Sequence, residues 1–319
     1  MRLYFLAAAI SIAATQSFAR DNVQITGSST VLPYATIVAE AFGENFDFPA
    51  PVVEGGGSGA GRQRLCEGVG ENTVDIANSS SKMKEEEWAA CEAVIGEITE
   101  VRIGYDGSVF ASNIDTLNID NLTPLQLYNA LHESSTATVW SDVDPAFPST
   151  DILVFIPGTK HGTREVFDVE VMLEGCKQHL GVESLNDEQK SICANIRTDG
   201  VAVDIDGDYT ETLARLDASN GAIGVFGLSF YQNNTAKLEV STINGVFPSV
   251  ETIASGEYPI SRPLYFYVKN AHLGVVPGLK EYIEFFVSDD MAGPDGALAE
   301  YGLVPDPELA ATQEMVSGL

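Results

Sequence analysis

Three glycine- and hydroxyl-rich stretches, each lying between a β-like run and an amphipathic, helix-like run, constrain this chain more than any other feature. They are Gly27 to Thr30 (GSST), Gly55 to Gly61 (GGGSGAG) and Pro157 to Arg164 (PGTKHGTR). Strand, tight loop and helix in repeated succession are the pattern of an α/β protein with a largely parallel sheet. A helix start also carries unpaired backbone N–H groups and a partial positive charge. Loops of this kind are therefore suited to holding a small anion.

At 319 residues the chain is long enough for two domains, and its 45% apolar content with scattered charge is that of an ordinary globular protein. The first nineteen residues differ. Arg2 precedes an apolar run from Leu3 to Ala14, and Ser17-Phe18-Ala19 has the small-x-small form of a cleavage site. We read residues 1–19 as a signal peptide cleaved after Ala19. An oxidising destination suits the four cysteines, Cys66, Cys91, Cys176 and Cys193. Four cysteines allow three pairings. The local pairs Cys66–Cys91 and Cys176–Cys193 are expected, each closing a loop around a helical segment. No CxxC occurs and the four histidines are scattered, so no metal is expected. The formal net charge of −29 argues against nucleic acid or an anionic membrane as a partner. It also repels a small anion at long range, so capture must rest on short-range hydrogen bonds in a desolvated cleft.

Along the chain, residues 22–26 read as a first strand and 30–45 as a helix, with Ile37, Val38, Ala41 and Phe42 on its apolar face. Residues 51–53 form a strand, 61–68 a helix and 100–111 a long strand with a glycine-bearing bend. Thr123-Pro124 starts another helix, with a cap and a proline in its first turn. A buried strand at 152–156 feeds the third glycine stretch, and 163–173 is helical. Two later β runs, 221–227 and 263–269, complete the pattern. No linker separates consecutive domains, so a discontinuous arrangement fits: residues 20–108 plus 265–319 as one lobe and 109–264 as the other. The ligand would lie in the cleft between them.

Familiar catalytic loops are absent. Gly61 is followed by Arg62-Gln63, which breaks a nucleotide-binding P-loop, and Ser58 lacks the second glycine of a hydrolase elbow. Asp204 to Asp208 has its glycine too early for a calcium loop, and reads as an acidic turn. Lys160, His161 and Arg164 crowd one helix start, where cations are disfavoured unless an anion binds.

Nine segments in order carry a resemblance. They are TGSSTVLP (26–33), VEGGGSGAG (53–61), DIANSSSKM (75–83), GYDG (104–107), LTPLQLYNAL (122–131), VWSDV (139–143), PGTKHGTREVF (157–167), GAIGVFGLSFY (221–231) and SRPLYFYVK (261–269). Together they resemble the periplasmic phosphate-binding proteins of high-affinity phosphate ABC transporters, over nearly all of the chain after Ala19. The resemblance implies the type II periplasmic-binding-protein fold, an α/β architecture of two lobes joined by two hinge crossings. It implies phosphate contacts from Ser29, Thr30 and Val31, from Ser58 and Gly59, from Asn78, Ser79 and Ser80, and from His161, Gly162 and Thr163. Arg164 would be the nearest guanidinium, and Lys160 an added cation. Many relatives place an aspartate where Ser80 stands, as acceptor of the ligand's proton; Asp106 is the candidate replacement here. Relatives also place an aspartate at Thr159 or Lys160 and an arginine near Pro157. The expected function is periplasmic phosphate binding by a monomer that delivers its ligand to inner-membrane ABC permease subunits, with no cofactor and no enzymatic activity. The alternatives are a module sensing another oxyanion (arsenate, sulfate or molybdate) for a membrane kinase, and an exported phosphatase.

Overall fold

The computed structural model describes residues 20–158, 162–206 and 209–319. Residues 1–19, read above as a signal peptide, and the site candidates Lys160 and His161 lie outside the described residues. The strands that position the site are β1 (Gln24–Gly27), β2 (Val52–Glu54), β3 (Ile76–Ser79), β4 (Ile98–Asn113), β5 (Val154–Pro157), β6 (Ala202–Ile205), β7 (Ile223–Gly227) and β8 (Ser261–Lys269). They are joined in one sheet in the order β2-β1-β3-β8-β4-β7-β5-β6, with the short strands Leu238–Val240 and Leu303–Val304 also paired to β4. Pairing is parallel at both ends of this path (β2-β1-β3 and β7-β5-β6) and antiparallel through its centre. Strands β3, β5 and β7 are buried at every position, as parallel strands covered on both faces must be.

The sixteen-residue β4 connects two hydrophobic cores. Its first part pairs with β8 from Ile98 opposite Lys269 to Gly107 opposite Ser261. Its second part pairs with β7 from Ser108 opposite Gly227 to Ala111 opposite Gly224. One core, around Phe42, Phe266, Tyr282 and Phe286, draws on residues 23–103 and 264–316. The other, around Phe110, Trp140, Phe167 and Phe226, draws on residues 105–260 and Val304. We refer to these as the outer and the inserted core. At the changeover the β4–β8 register slips between Leu264 and Tyr265, which face Gly104 and Arg102. Gly104 has φ +142°, and a Cβ there would lie 2.7 Å from the Val304 carbonyl oxygen. Only glycine accommodates both demands.

Helices follow the sequence pattern with two corrections. Helix α1 (Leu32–Asn45) buries Tyr34, Ala35, Val38, Ala39 and Phe42. Helix α2 (Ser58–Leu65) begins three residues before the expected Gly61. The reason is Gly57, whose φ of +92° lets it act as the cap, with its carbonyl accepting from the Gly61 N–H at 3.0 Å. Helix α3 spans Glu85–Ile95, and α4 (Pro124–Leu131) starts with the expected Thr123 cap, closed into a box by Gln126. The segment expected as a regular helix at 163–173 is instead α-helical over Gly162–Val166, π-helical over Phe167–Leu173 and α-helical again over Glu174–Leu180. The wider turn buries Phe167, Val171 and Met172 together on the inserted core. No helix of the described residues is long and apolar enough to cross a membrane.

Cys66 is bridged to Cys91 and Cys176 to Cys193, across sequence separations of 25 and 17 residues. The first bridge fastens the end of α2 to α3, and the second ties two helices of the inserted core. Loop-closure entropy makes each worth roughly 3 kcal/mol. The double variant Cys66→Ser/Cys91→Ser should therefore unfold in urea with a stability lower by about that amount. An unchanged midpoint at unchanged slope would contradict this.

Candidate functional site

The first two glycine stretches meet backbone to backbone. Gly27, at φ +134°, ends β1 so close to β3 that a Cβ would lie 2.1 Å from the Asn78 carbonyl oxygen. A Cβ on Gly61 would lie 2.4 Å from the Gly27 Cα. The Ser28 N–H donates to the Asn78 carbonyl at 2.9 Å, and the Gly57 N–H donates to the Gly27 carbonyl at 2.8 Å. Residues 27–31, 57–61 and 78–80 thus form one compact junction on the outer core.

Within it the expected site residues divide. Thr30 and Val31 are fully buried and Ser29 is exposed. Ser28, which the sequence reading did not single out, turns the chain into α1: its Oγ accepts from the Thr30 and Val31 N–H groups at 3.2 and 3.4 Å. No cap pattern marks it, because α1 starts at Leu32 with Val31 in the cap position and no side-chain cap. Ser58 Oγ lies 3.1 Å from Ser80 Oγ and accepts from the Ser80 N–H at 3.1 Å, so α2 and the end of β3 come together as expected. Gly59 is exposed beside them. Ser79 is occupied elsewhere, accepting from Arg62 Nη1 at 2.6 Å and donating to the Ser81 carbonyl at 2.6 Å. Asn78 is 1% exposed, and its Nδ2 has no hydrogen-bond partner among the described residues.

Across the changeover between the cores, Thr30 meets two residues that the sequence reading left out of the site. Its hydroxyl donates to Glu165 Oε2 at 2.5 Å and accepts from Arg262 Nη2 at 2.5 Å. Arg262 Nη2 is also 3.4 Å from Glu165 Oε2. Thr30 belongs to the outer core, Glu165 to the helical run of the inserted core, and Arg262 to β8. Their contact spans 135 and 232 residues of sequence. The guanidinium at this junction therefore comes from a central strand rather than from the third glycine stretch. Arg164 turns away: its Nε donates to Asp168 at 2.8 Å and its Nη1 to the Pro157 carbonyl at 3.0 Å, with Asp204 also paired to Nη1. Gly162 and Thr163 begin the same helical run. The Thr163 hydroxyl accepts from the Tyr209 phenol at 3.2 Å, and both side chains are buried.

Asp106 sits opposite Arg262 in the β4–β8 register. It is 0% exposed, and neither carboxylate oxygen has a hydrogen-bond partner among the described residues. Burial pushes its pKa up to about 6; Arg262 opposes the shift and Glu165 adds to it. The Tyr34 and Tyr209 phenols are raised chiefly by burial, with the Asp106 charge contributing to each. Together with Arg262 Nε and Asn78 Nδ2, Asp106 makes a set of buried polar groups on the three central strands that have no partners among the described residues. Such groups point to a missing hydrogen-bonding guest. The donors here (guanidinium, hydroxyls, amide) suit an oxyanion, and an acceptor able to hold a proton near neutrality suits a protonated one.

A raised carboxyl pKa stabilises the fold at acid pH, and that contribution is lost as pH rises through about 6. Asp106→Asn should therefore be more stable than the parent at pH 7.5, on the order of 2–3 kcal/mol, with the gap closing by about pH 4. Thermal melts across that range check it. A variant less stable than the parent at pH 7.5 would show that the charged form is favoured instead.

Comparison with known proteins places this geometry in context. A PBP superfamily domain matches residues 13–290. Protein SphX of Synechocystis sp. is 28% identical over 305 residues, covering 93% of this chain and 82% of SphX. The phosphate-binding protein PstS of Staphylococcus haemolyticus is 28% identical over 296 residues, covering 91% of this chain and 82% of PstS. The crystal structure of a possible phosphate binding protein from Planctomyces limnophilus superposes with a TM-score of 0.73 at 25% identity, covering 93% of this chain and 98% of that one. An ABC-type phosphate transport receptor from Vibrio cholerae shares the fold with a TM-score of 0.58 at 20% identity, covering 89% and 99%.

Proposed function

This chain belongs to the PBP superfamily, and we propose that within it the protein is an extracytoplasmic receptor that binds inorganic phosphate and passes it to an ABC permease in the inner membrane. The observation that carries this reading is the convergence of Thr30 and Arg262 on the carboxylate of Glu165. Donors from the outer core and a central strand already gather around an oxyanion group presented by the inserted core. Two similar proteins, PstS of Staphylococcus haemolyticus and the possible phosphate binding protein of Planctomyces limnophilus, are named for phosphate binding and support phosphate as that oxyanion.

In this reading residues 20–108 plus 265–319 form one lobe and 109–264 the other, with β4 and β8 as hinge crossings. The protein acts as a monomer after loss of the signal peptide at Ala19, and it performs binding without a reaction. Ligand contacts come from Thr30 and Val31, from Ser58 and Ser80, from Asn78, and from Gly162 and Thr163. Ser29 and Gly59 border the same loops, and Ser79 and Arg164 hold loops in place through the contacts described above; His161 and Lys160, contacts that the resemblance implies, lie outside the described residues. Arg262 is the guanidinium that faces the ligand. Asp106 accepts the ligand's proton in place of the aspartate that relatives carry at the Ser80 position. Sulfate, which has no proton to give at neutral pH, leaves that carboxylate charged and unpaired beside an anion, and is rejected.

Calorimetry at pH 7.5 should show one phosphate site per chain and little heat with sulfate. Arg262→Gln should weaken phosphate binding by a hundredfold or more, about 3 kcal/mol for a charge-assisted contact, and Arg164→Ala by much less. Asp106→Asn should narrow the gap between phosphate and sulfate. A flat phosphate titration beside clear heat for sulfate or molybdate would overturn the ligand, and a dominant loss in Arg164→Ala would overturn the assignment of the guanidinium.

A further inference from the structure

Three carboxylates surround Arg262. Asp106 faces it across the strand pair, Glu165 is within 3.4 Å of Nη2, and Glu170 feels its charge from the next turn of the helical run. Asp106 is sealed in the core, but the Glu165 side chain is 43% exposed, so it can leave for water with little rearrangement. While it stays, the Thr30 hydroxyl has no proton left to give. Its one proton goes to Glu165, and Arg262 donates to its oxygen. A bound tetrahedral oxyanion cannot receive that hydroxyl proton, nor Nη2 at full strength, until Glu165 gives them up. A dianion placed beside Glu165 would also meet an uncompensated like charge, because one guanidinium cannot neutralise both.

We propose that Glu165 is a tethered stand-in for the ligand, an intramolecular carboxylate that occupies the Thr30–Arg262 seat and must be displaced by the incoming oxyanion. The inference rests on the oxyanion-receptor reading above and deepens it, because it makes Glu165 an affinity-setting residue at the same site. Displacement sets the apparent affinity: the ligand binds only the fraction of molecules with the seat vacant. It also supplies a route for release, since the tether is always at hand to retake Thr30 and Arg262. The other charged groups near the seat do not fit the role. Asp106 has no access to water, and Glu170 shows no contact with Thr30.

The test is phosphate calorimetry on the parent, Glu165→Ala and Glu165→Gln, with Glu188→Gln on the exposed face of the inserted core as a control for net charge. If the tether holds the seat nine-tenths of the time, its removal tightens phosphate binding about tenfold. Glu165→Gln, which keeps shape but loses the charge, should tighten it too, and Glu188→Gln should leave it unchanged. Weaker or unchanged binding in Glu165→Ala with its fold intact by thermal melt overturns the proposal, weaker binding marking Glu165 as a clamp of the liganded form. Should Glu165→Ala fail to fold, Glu165→Gln decides on the same criterion. If the parent binds no phosphate but binds arsenate, sulfate or molybdate, the ligand assignment fails while the same series run with that anion still tests the tether. Binding by neither parent nor variants overturns both.

Discussion

The site depends on one half-buried charge, the guanidinium of Arg262, held where two hydrophobic cores change over. Its position is fixed by strand register: β8 runs antiparallel to β4, and Arg262 falls opposite Asp106. That pairing places a cation, an acceptor carboxylate and the start of α1 within reach of one another, without help from any flexible loop. Removing charges from water is costly unless they are paired and hydrogen-bonded. Here the cost is only partly met, since Arg262 Nε and both Asp106 oxygens lack partners among the described residues. Incomplete satisfaction of a buried carboxylate beside a half-buried cation is a poor way to stabilise a fold and a good way to prepare a binding site.

The same pair answers the difficulty set by a net charge of −29. Long-range attraction cannot bring a phosphate to this surface. What remains is strong contact at short range in a site of low polarity, where each hydrogen bond to a charged group counts for more than in water. A buried carboxylate with a raised affinity for protons can accept the P–OH of hydrogen phosphate, so that the proton shared between them offsets the contact of two negative groups. A second carboxylate on a tether, Glu165, fills the seat when no ligand is bound and so limits how tightly ligand is held, which fits a carrier whose task includes letting go.

Much of this was legible in the residues. The strand–glycine–helix repeats located the first two loops and their junction, because the demands on Gly27 and Gly61 are steric and local. Thr123 with Pro124 announced a helix start, and the cysteine pairs followed from their placement around helical segments. The Asp106 candidate arose from a missing acceptor at Ser80. The misses have a common cause. Arg262 and Glu165 meet Thr30 across 232 and 135 residues, and no local pattern reports such a contact. Arg164 attracted attention by lying in a cationic helix start, yet its neighbours Asp168 and Asp204 claim it. Helix α2 began early because Gly57 could cap it, a property of backbone angle that composition conceals. The π-turn at Phe167–Leu173 likewise answers to packing on the inserted core rather than to periodicity.

The central claim is positional: the anion lies on the Arg262–Asp106 pair between the cores, in the seat that Glu165 fills when no ligand is bound. A crystal structure of the protein grown with phosphate tests it most directly. The account predicts phosphate oxygens within hydrogen-bond distance of Arg262 and Thr30, one P–OH directed at Asp106, and the Glu165 carboxylate rotated away from Thr30. Phosphate bound at Arg164 or elsewhere, with the Glu165–Thr30 contact intact, would contradict it.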